Sequence, residues 1–223
     1  MDVGNAAPHI SLRTSTGRVG MATSLMVAVQ YTNASNREMH FREPAKRWET
    51  RLQIRGEEGE PHEVRLGRLT RVRTQHGSRV VVEPANDIDL PPGGRFEFEL
   101  DVGEKWPELL PPGRHFMRIV DELWDPPARS EEAEVTIVCD AATPPRLFAL
   151  LRDTQRGDEA RRFAATWLDA LNPDLNLREA MRGSAEALHS AIRRSEAWWR
   201  QQDGNSQVLA RLSALSNARS RRA

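Results

Sequence analysis

LPPGGRFEFELDVGEKWPELLPPGRHFMRIV, residues 90–120, is the stretch of this chain that decides the fold. After its first Leu-Pro-Pro-Gly, the apolar residues Phe96, Phe98 and Leu100 alternate with acidic ones. This is the period of a strand with one face in a core and the other in water. A second Leu-Pro-Pro-Gly opens another run with the same alternation. Proline before a strand and glycine in a turn suit the backbone there, so the stretch predicts two strands, each preceded by a turn.

Further strands are predicted on both sides of this stretch. Short alternating runs separated by turn-forming residues recur about every ten positions in residues 1–140, and a helical period is missing there. This spacing predicts an antiparallel β-sandwich of about eight strands. The predicted strands lie near residues 9–14, 25–31, 48–55, 79–83, 96–101, 115–120 and 133–138, with one or two more within 64–72, where the alternation shifts phase around Gly67, and a short extension at 39–41.

The apolar spacing changes to that of helices after residue 141. Asn176 followed by Glu179 has the spacing of a capping box and predicts the start of the longest helix. Residues 141–223 are therefore predicted to form a separate helical domain, a small bundle of four helices. The predicted helices span residues 145–156, 158–171, 176 to about 202, and 206 to about 218.

Two resemblances follow from these motifs. Residues 8–139 resemble bacterial immunoglobulin-like domains, similar in outline to those of intracellular proteinase inhibitors. The resemblance rests on a strand ending in Asn33-Ala34-Ser35, a strand bearing Trp48 before a glycine-flanked acidic hairpin, and the two Pro-Gly strands. Residues 147–171 resemble one HEAT-type helical repeat. The resemblances imply a fold that serves recognition. Peptidase inhibition is only an analogy, because no residue of an inhibitory loop can be matched to a position of this chain.

Composition places the chain among soluble globular proteins of the cytoplasm. Lys+Arg and Asp+Glu are both 32, so no global field attracts nucleic acid or an anionic membrane. The single cysteine, Cys139, cannot form an internal disulfide, which favours a reducing compartment, and the sequence predicts neither a signal peptide nor a membrane span. In that compartment the Asn33-Ala34-Ser35 glycosylation motif is a chance match.

Charge is distributed unevenly between the two predicted domains. Residues 1–140 hold 18 basic and 23 acidic residues (18 − 23 = −5), whereas residues 141–223 hold 14 and 9 (14 − 9 = +5). Opposite net charges of this kind suit either attraction between the two parts or binding of different partners. Only Lys46 and Lys105 among the 32 basic residues are lysines, which we interpret as a compositional bias toward arginine.

The sequence contains no recognisable catalytic or cofactor-binding motif. The six histidines are scattered without metal-ligand spacing, and we find no nucleophile elbow, P-loop or dinucleotide-binding glycine pattern. These observations favour a non-enzymatic protein without a cofactor or metal, which acts as a binding or scaffold protein.

Tryptophan is the best indicator of a binding surface in this sequence. Six tryptophans accompany a single tyrosine, and the adjacent pair Trp198-Trp199 cannot turn both rings into one core, because neighbouring helix positions point about 100° apart. Trp106 and Trp124 lie in proline-bounded loops, where they either cap the core or contact a partner. We predict Trp106, Trp124, and Trp198 or Trp199 as anchors for a partner protein, and a homo-oligomer is compatible with the same surface.

Two alternative functions remain open at the level of sequence. Arg71, Arg73 and Arg79 belong to a basic ribbon on the middle strands, which either binds phosphate groups of nucleic acid or is a solvated face opposed by glutamates. A peptidase inhibitor would require a rigid exposed loop, for which residues 83–92 and 124–130 are the candidates.

Overall fold

The structure is a computed structural model of the 223-residue chain. It describes residues 7–44, 49–57, 59–66, 71–75, 78–81, 87–103 and 106–202, together with positions 208, 210, 211 and 214. For residues 71–75 and 78–81 it describes the backbone only.

The chain divides into two compact units. The β unit consists of Met1–Gly17, Ser24–Lys105 and Arg114–Val135. The helical unit consists of Arg18–Thr23, Trp106–Gly113 and Thr136–Ala223, so two short segments from the first half of the chain belong to it.

The strands, numbered in chain order, have the following bounds: β1 His9–Thr14, β2 Arg18–Gly20, β3 Met26–Thr32, β4 Met39–Arg42, β5 Thr50–Gly56, β6 His62–Arg65, β7 Arg71–Gln75, β8 Ser78–Val81, β9 Asp87–Leu90, β10 Arg95–Asp101, β11 Gly113–Asp121, β12 Ala128–Arg129 and β13 Ala133–Val138. The predicted bounds of β1 and β13 are confirmed. The short strands β2, β9 and β12 were missed, because two to four residues are too few to show an alternation.

The first sheet of the β unit has the order β1-β3-β10-β7-β8. Its β3–β10 pairing is antiparallel and sets Phe96 opposite Tyr31 and Phe98 opposite Val29. All four side chains are buried, so the alternation of residues 96–100 marks a core face as predicted. Each such side chain contributes about 1.5–3 kcal/mol by leaving water.

A second sheet is built around the second Leu-Pro-Pro-Gly strand. In the β unit its order is β13-β11-β5-β6, and β12 pairs with β11. The antiparallel β11–β5 register sets Met117 opposite Ile54 and Ile119 opposite Leu52, and all four side chains are buried. A small antiparallel pair, β4–β9, completes the unit within the described residues.

In the helical unit, the last residues of β13 pair in parallel with β2. Up to residue 202, its helices are α1 Thr143–Arg152, α2 Asp158–Leu171, α3 Leu177–Ala180 and α4 Ala185–Gln201, with 3₁₀ turns at Pro107–Leu109 and Pro173–Leu175. The predicted end of α2 at Leu171 is confirmed. The helix predicted for residues 206–218 lies largely outside the described residues.

The long helix predicted for residues 176–202 is wrong, because the chain breaks it between α3 and α4. Ser184 caps the start of α4, since its Oγ accepts a hydrogen bond from the backbone N–H of Ala187 at 3.1 Å. Gly183 directly precedes this cap and disfavours a helix that continues through the break, because glycine has a low helix propensity. The apolar spacing continues across the break, so periodicity alone could not reveal it.

Candidate functional site

Trp124 is part of the interior of the β unit. Its side chain is only 7% exposed, and its ring meets Phe41 edge-on at 6.3 Å between centroids. Its Nε1 donates a hydrogen bond to Asp121 Oδ2 at 3.2 Å, and Tyr31 Oη donates to the same oxygen at 3.3 Å. Trp124 therefore caps the core, which is the first of the two roles expected for it. It is not one of the anchors that we propose for a partner.

Trp198 and Trp199 turn to different sides of α4, as their adjacency requires. Trp199 is 8% exposed and lines a cleft with Phe148 of α1, so it belongs to the interior of the helical unit and is withdrawn as an anchor. Trp198 is partly exposed, and its ring lies 6.4 Å from that of Trp199. Arg194 lies one turn earlier on the same face of α4.

Trp106 is the other partly exposed candidate, and it directly precedes the 3₁₀ turn Pro107–Leu109. Glu108 in that turn is half-buried, and its Oε2 has no hydrogen-bond partner among the described residues. Burial raises the pKa of this carboxyl group, and the negative charge of Glu159 raises it further, while Arg156 opposes them.

The predicted arginine ribbon is described only in its backbone. The registers set Arg71 opposite Leu100, Arg73 opposite Val80 and Arg79 opposite Thr74. The three side chains lie outside the described residues, so their role in anion binding stays a prediction.

Arginines on the second sheet are paired with glutamates of neighbouring strands and loops. Arg51 Nη1 lies 2.7 Å from Glu63 Oε2, and Arg55 Nη2 lies 2.6 Å from Glu132 Oε2. The hydrogen bond from Arg51 is the main cause that lowers the pKa of Glu63. Because these glutamates neutralise the guanidinium groups of Arg51 and Arg55, the two arginines are poorly suited to bind an anion from solution.

A different group of arginines lines a groove of about 680 Å³ within the helical unit. Arg161 and Arg162 come from α2, Arg178 from α3, and Arg182 from the turn after α3. We call this the arginine groove. Sequence reasoning missed it, although its two pairs lie in the half of the chain with the basic excess. The pairs are 16 residues or more apart (178 − 162 = 16), and only the fold of α2 against α3 brings them together.

Asp169 of α2 positions one wall of this groove. Its side chain is buried, and its two oxygens accept hydrogen bonds from the backbone N–H groups of Leu177 at 2.8 Å and Arg178 at 3.0 Å. Asn176, the predicted cap, has a left-handed backbone with a φ of 52° and makes no side-chain capping bond. A carboxylate from α2 therefore caps α3 in its place.

Comparison with known proteins defines no family for this chain. No family model matches it, and no curated protein matches it. Among solved structures, Spo0M, a sporulation control protein from Bacillus subtilis, gives a TM-score of 0.34 at 8% identity, and the match covers 66% of this chain and 56% of that one.

Two β-glucosidases give similar scores. The enzyme from Erythrobacter marinus matches with a TM-score of 0.32 at 16% identity, over 59% of this chain and 16% of its own. The enzyme from Listeria innocua, in complex with glucose, matches with a TM-score of 0.31 at 14% identity, over 58% and 16%. This chain thus spans about a sixth of the two enzymes, and matches at this level do not support an enzymatic activity for it.

Across the described residues, the helices lack the combined length and apolar character needed to cross a bilayer.

Proposed function

We propose that this chain is a non-enzymatic protein-binding or adaptor protein whose helical unit contacts the partner through Trp198. The observation that carries the proposal is the partial exposure of this indole, while Trp124, Trp167 and Trp199 are buried. Tryptophan and arginine dominate the energetics of protein interfaces, and Arg194 supplies the second type one turn away. Trp106 is a second proposed anchor on the same grounds of exposure.

We also propose the finer identity of the fold. An immunoglobulin-like sandwich is supported by two largely antiparallel sheets with buried faces and by the hydrogen bond from Tyr31 of one sheet to Asp121 of the other. A HEAT-like pair is supported by the contact between α1 and α2. Sandwiches of this kind serve recognition through their loops, which agrees with a binding role.

The test is affinity capture from an extract of the source cells at low and at high salt, with the wild type, Trp198→Ala, Trp106→Ala and a matched control. Gln201→Ala is the control because Gln201 is exposed on the same helix. We expect a protein partner that survives high salt, is lost with Trp198→Ala and is retained with Gln201→Ala. Circular dichroism should show that the variants remain folded.

Other outcomes assign the chain differently. A partner bound equally by wild type and by both tryptophan variants would contradict the proposed anchors, and capture of a second copy of the chain would indicate self-association. Nucleic acid that is released by salt would favour the arginine ribbon of Arg71, Arg73 and Arg79. Inhibition of a peptidase in a protease panel would favour the inhibitor analogy.

A further inference from the structure

The arginine groove carries more positive charge than its carboxylates neutralise. Asp158 is the acidic residue that lines it, and its oxygens lie 3.9 Å from Arg161 Nη1 and 4.0 Å from Arg162 Nη2. Both distances exceed those of a hydrogen bond. Within the described part of the chain, the guanidinium of Arg162 has no closer carboxylate and is exposed to solvent.

The other two arginines keep donors available as well. Arg178 Nε lies 3.4 Å from the buried Asp169, and Arg182 Nη1 lies 3.1 Å from the exposed Glu179. Four arginines thus face three carboxylates within 4.0 Å (4 − 3 = +1). A guanidinium has five N–H donors, and these contacts use few of them.

An apolar cleft of about 380 Å³ continues the groove. It shares Arg161 and Met181 with the arginine groove, and its other lining residues include Leu151, Leu188 and Ile192. These three side chains are at most 8% exposed, so they form the floor of the cleft. Positive and apolar subsites therefore adjoin each other inside one unit.

Two features select the kind of ligand. Arginines approaching from two helices suit an anion that accepts hydrogen bonds in several directions, as the three terminal oxygens of a phosphoryl group do. The side chains of Arg162, Arg178 and Arg182 remain 65–79% exposed, so the groove covers only one side of a ligand. Pockets for small molecules enclose most of the ligand surface instead.

We propose that this groove binds an extended segment of the partner protein in which a phosphoserine contacts the arginines and a nearby apolar side chain occupies the cleft. Recognition of phosphorylated motifs by arginine clusters is a recurring mode of peptide binding. The inference rests on the proposed protein-binding function and names the chemistry of the partner.

The test uses the full chain and a library of labelled nine-residue peptides with a central phosphoserine and leucine at one of the four following positions. Fluorescence anisotropy measures the affinity of the chain for this phosphorylated library and for the same library with serine in place of phosphoserine. We expect at least tenfold tighter binding of the phosphorylated library, and at least tenfold weaker binding of it by Arg162→Gln with Arg182→Gln. Glutamine in place of leucine in the best peptide should weaken binding several-fold.

The matched control is Arg193→Gln with Arg200→Gln, which removes the same charge from exposed positions on α4 outside both cavities. It should leave the affinity within twofold. Equal binding of both libraries, an equal loss in the control, or inorganic phosphate binding as tightly as the best peptide would overturn the inference. A partner captured through Trp198 and still retained after phosphatase treatment would leave the proposed function standing and refute only this inference.

Discussion

At the scale of single residues, Asn33 shows how a polar side chain can fix several loops at once. Its Nδ2 donates to the backbone oxygens of Arg37 and Leu90, each at 2.7 Å. Its Oδ1 accepts from the backbone N–H and the hydroxyl of Ser35 at 2.9 Å and 2.7 Å. The amide has thus reached its full hydrogen-bonding capacity in a site with no exposed surface. Asn33 and Ser35 thus have a structural role, which their interpretation as a chance glycosylation motif did not predict.

Asn33→Ala is therefore expected to destabilise the β unit by about 2–4 kcal/mol, because buried backbone groups lose their partners. Urea unfolding followed by circular dichroism measures the change. Ser35→Ala is the control and should cost less than about 1 kcal/mol, since Asn33 keeps both bonds from its Nδ2. Similar losses in the two variants would contradict this account of Asn33.

Glu108 gives a pH-dependent prediction in the helical unit. Burial is the main cause that raises its pKa above 4.5 in the folded chain, so the fold favours the protonated carboxyl group. Its contribution to stability is fully present below pH 4.5 and is lost as the pH rises through the raised pKa. Glu108→Gln should therefore raise the thermal stability of the helical unit at pH 7.5 and change it less at pH 4.5.

Thermal unfolding at 222 nm at both pH values tests this prediction. Glu131→Gln provides the control, because it removes an exposed carboxylate from the β unit. A melting temperature of Glu108→Gln that changes equally at the two pH values would show that ionisation of Glu108 is not the cause.

At the scale of elements, the four-residue helix α3 depends on a carboxylate from another helix. Isolated helices of this length are unstable in water, and Asp169 bonds two of the orphan N–H groups of α3. Asp169→Ala is expected to destabilise the helical unit by about 2 kcal/mol, because the buried N–H groups lose their acceptor. It should also weaken the proposed binding of phosphopeptides, since Arg178 Nε donates a hydrogen bond to the same carboxylate.

Asp174→Ala is the matched control for this element, because Asp174 is exposed in the adjacent 3₁₀ turn. Its effect on the melting temperature at 222 nm should be close to zero. Asp169→Ala with an unchanged melting temperature would show that packing alone holds α3 in place.

The distance along the chain over which a contact acts explains which elements the sequence could predict. Strands β3, β10 and β11 and helix α2 were predictable because their apolar residues report local burial with a clear period. The cap of α3 was not, because Asp169 acts on residues eight and nine positions away in the chain. The arginine groove and the burial of Trp124 depend on contacts of the same non-local kind, and no local spacing encodes them.

At the scale of the whole molecule, the bias toward arginine acquires a structural meaning on the second sheet. Arg114 Nε lies 2.9 Å from Glu134 Oε1, and its guanidinium, like that of Arg55, lies over the ring of Phe116. Planar guanidinium groups make both contacts at once, which the ammonium of lysine does less well. Hydrogen bonds from arginines are the main cause that lowers the pKa values of Glu63, Glu132 and Glu134.

The lowered pKa values of these three glutamates lead us to expect that the chain becomes less stable in acid. Their folded pKa values lie below 4.5, so their contribution to stability is present above pH 4.5 and is lost as the pH falls through the lowered values. Urea unfolding between pH 3 and 7 should show wild-type stability falling on the acid side, and the fall should be smaller in the Glu63→Gln, Glu132→Gln and Glu134→Gln triple variant. Because the pairs are partly exposed to solvent, 1 M salt should also reduce the difference between the two proteins. An identical loss of stability on the acid side in both proteins would show that other carboxylates are responsible, whereas the expected difference would show that the arginine partners of these three glutamates stabilise the folded chain.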